Sequence, residues 1–348
     1  MTLLPDGTWI GKRTQAPRGC SLGNASTFLR ATSLADVDGV WLAENGHWYT
    51  GELSVTPLPM ADWEVQDVVY APEYQGVIYQ RADGAEIVKK LLLDTKRASL
   101  QISLEAHYLP EGTPLTCAVR WRTGAALSDI HRQQPYGYIE KRWSSRVTKN
   151  AVYAVSTAQE EKTQQLASSA PFEKPRWTEP NLFTAEFRCI ANDLGRLDAS
   201  ICLTIEAEDI PKSTHLPIKP MEDTSLPDNS LIPYAHQWGQ VCSHRVFHRY
   251  GTGDWGFTND PPGNTVVTRD CAWYIFGSDY FAPELSAKLL TTLKKHCIYP
   301  SGKVAEYVRL ERGNISIEDY GLNINDATPL FLLALAHHHH LRNLQGQP

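Results

Sequence analysis

The sequence predicts a large antiparallel β-sandwich over residues 1–209, a proline-rich linker over 210–235 and an α-helical segment over 236–348. Three observations predict it. Apolar residues recur at every second position through the first half, the period of a strand with one buried face. Prolines then crowd a single segment. Beyond that segment the apolar spacing lengthens to that of a helix.

Taken in order, "VWLAENGHWYTGEL" reads as two aromatic-rich strands joined at Asn45–Gly46, a dipeptide that favours a tight hairpin turn. "ASLQISLEAHYL" sets Leu100, Ile102, Leu104 and Ala106 on one side of a strand, with Gln101, Ser103, Glu105 and His107 opposite. "LTCAVRWRT" repeats the pattern with Leu115, Cys117, Val119 and Trp121, and "DASICLTIEAED" with Ile201, Leu203, Ile205 and Ala207. "YLPEGTPL" and "NDLGRLD" supply turns between strands. Residues 157–181 interrupt the pattern and read as a short helical start followed by a loop. Pro211, Pro217, Pro220, Pro227 and Pro233 exclude a helix or a central strand, because proline lacks the N–H and fixes φ.

After the linker, "VVTRDCAWYIFGSDYF" and "APELSAKLLTTLKKHC" read as two helices broken near Ser278–Pro283. The second places Leu285, Leu289, Leu290 and Leu293 on one face and Pro283 and Glu284 in its first turn. A loop, "YPSGKVAEYVRLERGNISIEDYGLN", leads to a last helix with Thr328 as N-cap and Pro329 at the first helical position. That helix, "LFLLALAHHHH", is apolar nearly all round, as a helix surrounded by other helices would be. Its histidines fall where they can meet the final free carbonyls.

Composition narrows the function. A net charge of −6 with no long basic run argues against nucleic acid. The apolar run Pro329–Ala336 is too short to span a bilayer, and "MTLLPDGTWIGKR" lacks the parts of a signal peptide. Seven scattered cysteines without a C-x-x-C pair read as free thiols in a reducing compartment, so the expected location is the cytoplasm. His244 and His248 in "HRVFH", and the run His337–His340, have helical metal-ligand spacing. No cysteine or carboxylate completes either set, so no metal is expected. Glycine-rich nucleotide loops and the G-x-S-x-G elbow are missing, so no cofactor is expected either. Ten tryptophans and fifteen tyrosines fit both core packing and stacking on sugar rings.

"PPGNTVVTRDCAWYIFGSDYFAPE" and "SGKVAEYVRLERGNISIEDYGLNINDATPLFLLALAHHHH" resemble the six-hairpin glycosidases of the glucoamylase and glycogen-debranching (amylo-α-1,6-glucosidase) type. The resemblance implies a supersandwich-like N-terminal domain and a catalytic (α/α)6 toroid of twelve helices. It also implies action on an oligosaccharide or α-glucan substrate. "TRD" matches an Arg–Asp pair that holds sugar hydroxyls, which gives Arg269 and Asp270 a substrate-binding role. Chemically this is sound, since a guanidinium fork and a carboxylate donate to and accept from vicinal hydroxyls together. Asp270 could equally serve in N-terminal capping or in an ion pair.

Glycoside hydrolysis needs two carboxylates, an acid and a base or nucleophile. Asp254, Asp260, Asp270, Glu306, Asp319 and Asp326 are available. By position in the resemblance, Glu306 and Asp326 are the candidate catalytic carboxylates, although Asp326 also suits helix capping. Neither is assigned as the general acid, which in these glycosidases comes from later hairpins. Trp255 and Tyr307 are candidate sugar-contacting residues, with Trp273, Tyr274 and Tyr320 as further aromatics; Trp273 and Tyr274 also suit a core. About three of the twelve helices are encoded here. The expectation is therefore a truncated toroid, inactive alone, that needs its missing half, a second chain completing it or a rearranged fold. Each large side chain left wet by truncation costs roughly 1.5–3 kcal/mol. The rival reading is a non-catalytic carbohydrate-binding or scaffold module carried by the sandwich.

Overall fold

A computed structural model describes residues 2–4, 8–15, 19–44, 47–71, 73–124, 145–156, 162–206, 245–249, 253–258, 265–311, 314–319, 321 and 326–344. Asn45–Gly46, the 210–235 linker, Ala207, His244, Asp260 and Tyr320 lie outside the described residues.

The alternating stretches form strands as read. Ser99–His107 buries Leu100, Ile102, Leu104 and Ala106 and pairs antiparallel with Glu86–Leu93 and Leu197–Ile205. Together with their neighbours these make one sheet in the spatial order Thr2–Leu3, Trp9–Gly11, Glu64–Tyr70, Tyr74–Gln80, Glu86–Leu93, Ser99–His107, Leu197–Ile205, Lys162–Ser168, Ala151–Ser156, Ser145–Val147. A second sheet runs Phe172–Glu179, Leu182–Ile190, Pro114–Thr123, His47–Leu58, Val37–Leu42, Thr27–Thr32, Gly19–Gly23. One apolar cluster joins the inner faces. Ile102, Leu104 and Ile201 of the first sheet pack with Val119, Trp121, Phe183 and Phe187 of the second. This is an antiparallel sandwich. Trp41, Trp48, Trp63 and Trp121 are buried, so for these four packing accounts for the tryptophan content.

Residues 157–181 differ from expectation. Lys162–Ser168 and Phe172–Glu179 are strands, while 157–161 lie outside the described residues. Gln164 occupies an inward position that the pattern alone would give to an apolar residue. It is satisfied by accepting from Thr50 Oγ1 at 2.8 Å and donating to the Tyr49 carbonyl at 2.9 Å. The "NDLGRLD" turn forms as read: Asn192 Oδ1 accepts from the Leu194 and Arg196 amides. Gly195 sits at φ +65°, and a Cβ there would stand 2.4 Å from the Leu109 carbonyl oxygen. Only glycine fits.

By backbone proximity the chain divides into two compact units. The first comprises Met1–Leu22, Leu29–Leu42 and Trp48–Asp209; the second comprises Gly23–Phe28, Ala43–His47 and Ile210–Pro348. The second unit carries α1 (Thr268–Ser278), α2 (Pro283–His296) and α3 (Ala327–Leu344). In α2, Pro283 opens the helix, Leu285, Leu289, Leu290 and Leu293 are buried, and Lys294, Lys295 and His296 occupy the last turn. That charge order suits the helix dipole.

Several details are corrections. The stretch expected as a loop contains a hairpin, Tyr307–Glu311 with Asn314–Glu318, which also pairs with Thr265–Val267. Its alternation buries Val308 and Leu310 and turns Arg309 outward, a period-two pattern that charged outer residues obscure in the sequence. The described end of "HRVFH" is not helical: Val246–Arg249 is a strand paired with Asp254–Phe257, which places His248 on a strand. In α3, Thr328 is not the N-cap, because the helix already begins at Ala327 and the Leu330 amide donates to the Asp326 carbonyl. The histidines do not close the helix, which continues to Leu344. Among the described residues, α3 buries one stripe. Ala327, Phe331, Ala334 and His338 form its buried stripe, while Leu332, Leu333 and Leu335 are exposed at 56%, 57% and 40%.

Candidate functional site

Two side-chain contacts fix how α1 and α3 run. Arg269 at the start of α1 meets Asp326 at the start of α3, and Asp279, just past α1, meets His338 in the last third of α3. The helices are therefore parallel, with their positive N-terminal ends side by side. At that shared end, Arg269 Nε lies 2.7 Å from Asp326 Oδ2, and Nη2 donates to Oδ1 at 3.0 Å. Asp326 raises the Arg269 pKa; burial opposes this, and the charges of Asp270 and Glu306 add to the rise.

Glu306 is brought to the same place by the sheet. It precedes strand Tyr307–Glu311 and is buried at 5% exposure. Its carbonyl accepts from the Thr268 amide at 2.9 Å, and its own amide donates to Asp319 Oδ1 at 3.0 Å. Thr268 Oγ1 donates to the Ala305 carbonyl at 2.8 Å, while the Val304 amide donates to Thr328 Oγ1 at 3.0 Å. The segment 304–306 is thus tied to the first turns of both helices. Lys303 Nζ, 2.7 Å from Asp319 Oδ2, holds the Asp319 carboxyl below its ordinary value; partial burial opposes and the Glu306 amide assists. Tyr307 donates to Glu318 Oε2 at 2.5 Å, which pulls the Glu318 carboxyl down and pushes the phenol up.

The structure therefore brings together Arg269, Asp270, Glu306 and Asp326, with Asp270 in the first turn of α1 but not at its cap. Tyr307 adjoins Glu306 with its hydroxyl committed to Glu318. Trp255 sits elsewhere, buried under α2. Its amide donates to Thr292 Oγ1 at 2.9 Å, Lys288 Nζ lies 4.0 Å from the ring centroid, and the His248 ring lies tilted against it at 4.9 Å between centroids. Burial lowers the His248 pKa, with the Lys288 charge assisting, and burial lowers that of Lys288. Asp254 is held by Lys295 and His296, each at 3.0 Å. Tyr274 is buried and stacked on Phe257, whereas Trp273 is 61% exposed.

No family model matches the chain, and no curated protein matches it. Among solved structures, a chain assigned as a kojibiose phosphorylase from the human microbiome is similar over 78% of this chain, at 9% identity and a TM-score of 0.48. The match covers 46% of that chain, so this chain spans about half the length of that protein. A galactose mutarotase related enzyme from Lactobacillus acidophilus matches 56% of this chain and 99% of its own, at 8% identity and a TM-score of 0.33. A heparan sulfate lyase from Pedobacter heparinus matches 57% of this chain and 38% of its own, at 10% identity and a TM-score of 0.30.

Sequence reasoning missed the groups that hold the site. Thr268, Thr328, Lys303 and the role of Asp319 carry no periodic signal, since each acts across a gap in sequence. The Asp279–His338 contact, 2.6 Å between Oδ1 and Nδ1, was equally hidden. Among the described residues no group of three or more His, Cys, Asp or Glu could hold a metal ion. No described helix is long and apolar enough to cross a membrane.

Proposed function

We propose that this is a glycoside-hydrolase-type protein of carbohydrate metabolism whose second unit grips α-glucan-like oligosaccharides at the joint N-terminal end of α1 and α3. The observation that carries the reading is the Arg269–Asp326 fork beside the buried Glu306. One edge of the guanidinium is committed to Asp326, and its remaining N–H groups can donate to a sugar hydroxyl while the carboxylates accept from its neighbours. The resemblance of "TRD" to a sugar-holding Arg–Asp pair supports the same assignment for Arg269 and Asp270.

Turnover by this chain alone is not part of the reading. A general acid needs a raised pKa, whereas Lys303 and Tyr307 hold Asp319 and Glu318 below their ordinary values. Glu306, and Asp326 engaged by Arg269, are proposed to contact sugar, since by the resemblance the general acid comes from later hairpins. Titration calorimetry with maltooligosaccharides tests this. Arg269→Ala is expected to weaken binding about tenfold or more, roughly 1.4 kcal/mol, with no reducing sugar released by the wild-type chain. Full affinity in both Arg269→Ala and Asp326→Ala would refute the site and favour a binding module in the sandwich. Release of reducing sugar would refute the absence of turnover.

A further inference from the structure

We propose that Asp319 is a positioning residue that holds the Glu306 peptide against the first turn of α1, beside Arg269. The ligand side of this inference rests on the carbohydrate reading above; the structural side does not.

The last paired position of the hairpin is Tyr307 with Glu318, so Glu306 and Asp319 stand opposite each other just past the end of the ladder. Asp319 Oδ1 accepts from the Glu306 amide at 3.0 Å. On the other edge the Glu306 carbonyl is held by the Thr268 amide, at the first residue of α1. The Glu306 peptide is therefore pinned on both sides, once to α1 and once to a side chain. That side chain is itself anchored, because Asp319 Oδ2 is 2.7 Å from Lys303 Nζ. Without Asp319 the Glu306 amide, in a residue 5% exposed, would lose its acceptor. The strand start would then shift to find another, moving the Glu306 side chain with it.

The experiment uses the full chain and two readouts, hydrogen exchange at the Glu306 amide and calorimetric affinity for a maltooligosaccharide. Asp319→Ala is expected to speed exchange at Glu306 tenfold or more and to weaken binding about tenfold. Asp319→Asn keeps an acceptor oxygen and is expected to restore most of both. Lys303→Met, which loosens the anchor but leaves the acceptor, is expected to fall between, and serves if Asp319→Ala does not fold. Unchanged exchange at Glu306 in Asp319→Ala or Lys303→Met overturns the positioning contact. Faster exchange with unchanged affinity overturns its bearing on the ligand. If the wild-type chain binds no oligosaccharide, the carbohydrate reading fails by itself, and the exchange rates still decide whether Asp319 holds Glu306.

Discussion

Lys89 occupies a core position of the sandwich, with its side chain 1% exposed and its ammonium paired to Asp36. Its register is that of an apolar residue, between buried Ile87 and Leu91 on the same strand face. The alternation in "EIVKKLLL" therefore marks the inward position, but not that a charge fills it. Asp36 also accepts from the Val55 amide at 3.1 Å and retains some contact with water. Burial, then the Asp36 charge, pushes the nearby Tyr79 phenol upward. The pair is asymmetric. Removing Asp36 strands an ammonium that water cannot reach, whereas removing Lys89 leaves a carboxylate with an amide donor and a route to solvent. Asp36→Ala is expected to cost about 3–5 kcal/mol. Lys89→Met, which fills the same volume with an apolar chain, is expected to cost clearly less. Urea unfolding of the two variants checks this, and equal losses would show that the asymmetry is absent.

At the scale of an element, α3 shows what hydrophobicity alone cannot encode. Its sequence is apolar on every side, yet packing commits only the stripe Ala327, Phe331, Ala334 and His338, spaced by three or four residues. Which stripe faces inward is decided by partners remote in sequence, Arg269 at one end and Asp279 at the other. Apolarity names the helix; the polar contacts at its two ends choose its rotation. Leu332 and Leu335 lie off the buried stripe, so replacing both by Lys is expected to change stability by no more than about 0.5 kcal/mol per site. The same double variant should reduce self-association at high concentration. Phe331→Ala, on the buried stripe, is expected to cost about 3–5 kcal/mol. Thermal melts with light scattering check both, and a large loss of stability in the Lys variant would show that the outer leucines are packed.

Across the whole molecule, legibility follows the source of each element's stability. Strands such as Ser99–His107 and Leu197–Ile205 are held by apolar burial on one face, and their period was plain. Lys162–Ser168 and the Tyr307–Glu318 hairpin rest more on hydrogen bonds and outward charges, through Gln164, Arg309 and Glu318, and were not. The candidate site divides likewise: Arg269 and Asp270 were named from the motif and Glu306 and Asp326 from their position in the resemblance, but the ties through Thr268, Thr328 and Asp319 were not. Those polar ties make acid the sensitive direction for both units. In the first, Arg122 holds Glu179 down and Arg81 holds Asp83 at about 2. In the second, Tyr307 holds Glu318 down, Lys303 holds Asp319 down, and burial lowers His248. Every one of these groups has a folded pKa below its unfolded value, so at acid pH the unfolded chain binds more protons and stability falls as pH falls. The stabilisation from His248 is complete above its ordinary value of 6.5 and is lost as pH drops through its lower folded value. The carboxylates follow from their ordinary values of 4.5 for the glutamates and 3.8 for the aspartates. The urea midpoint is expected to decline gently from pH 6.5 and then steeply below 4.5, and His248→Gln should remove the gentle limb only. A midpoint that stays level down to pH 3.8, or a gentle limb that survives His248→Gln, would contradict the assignment.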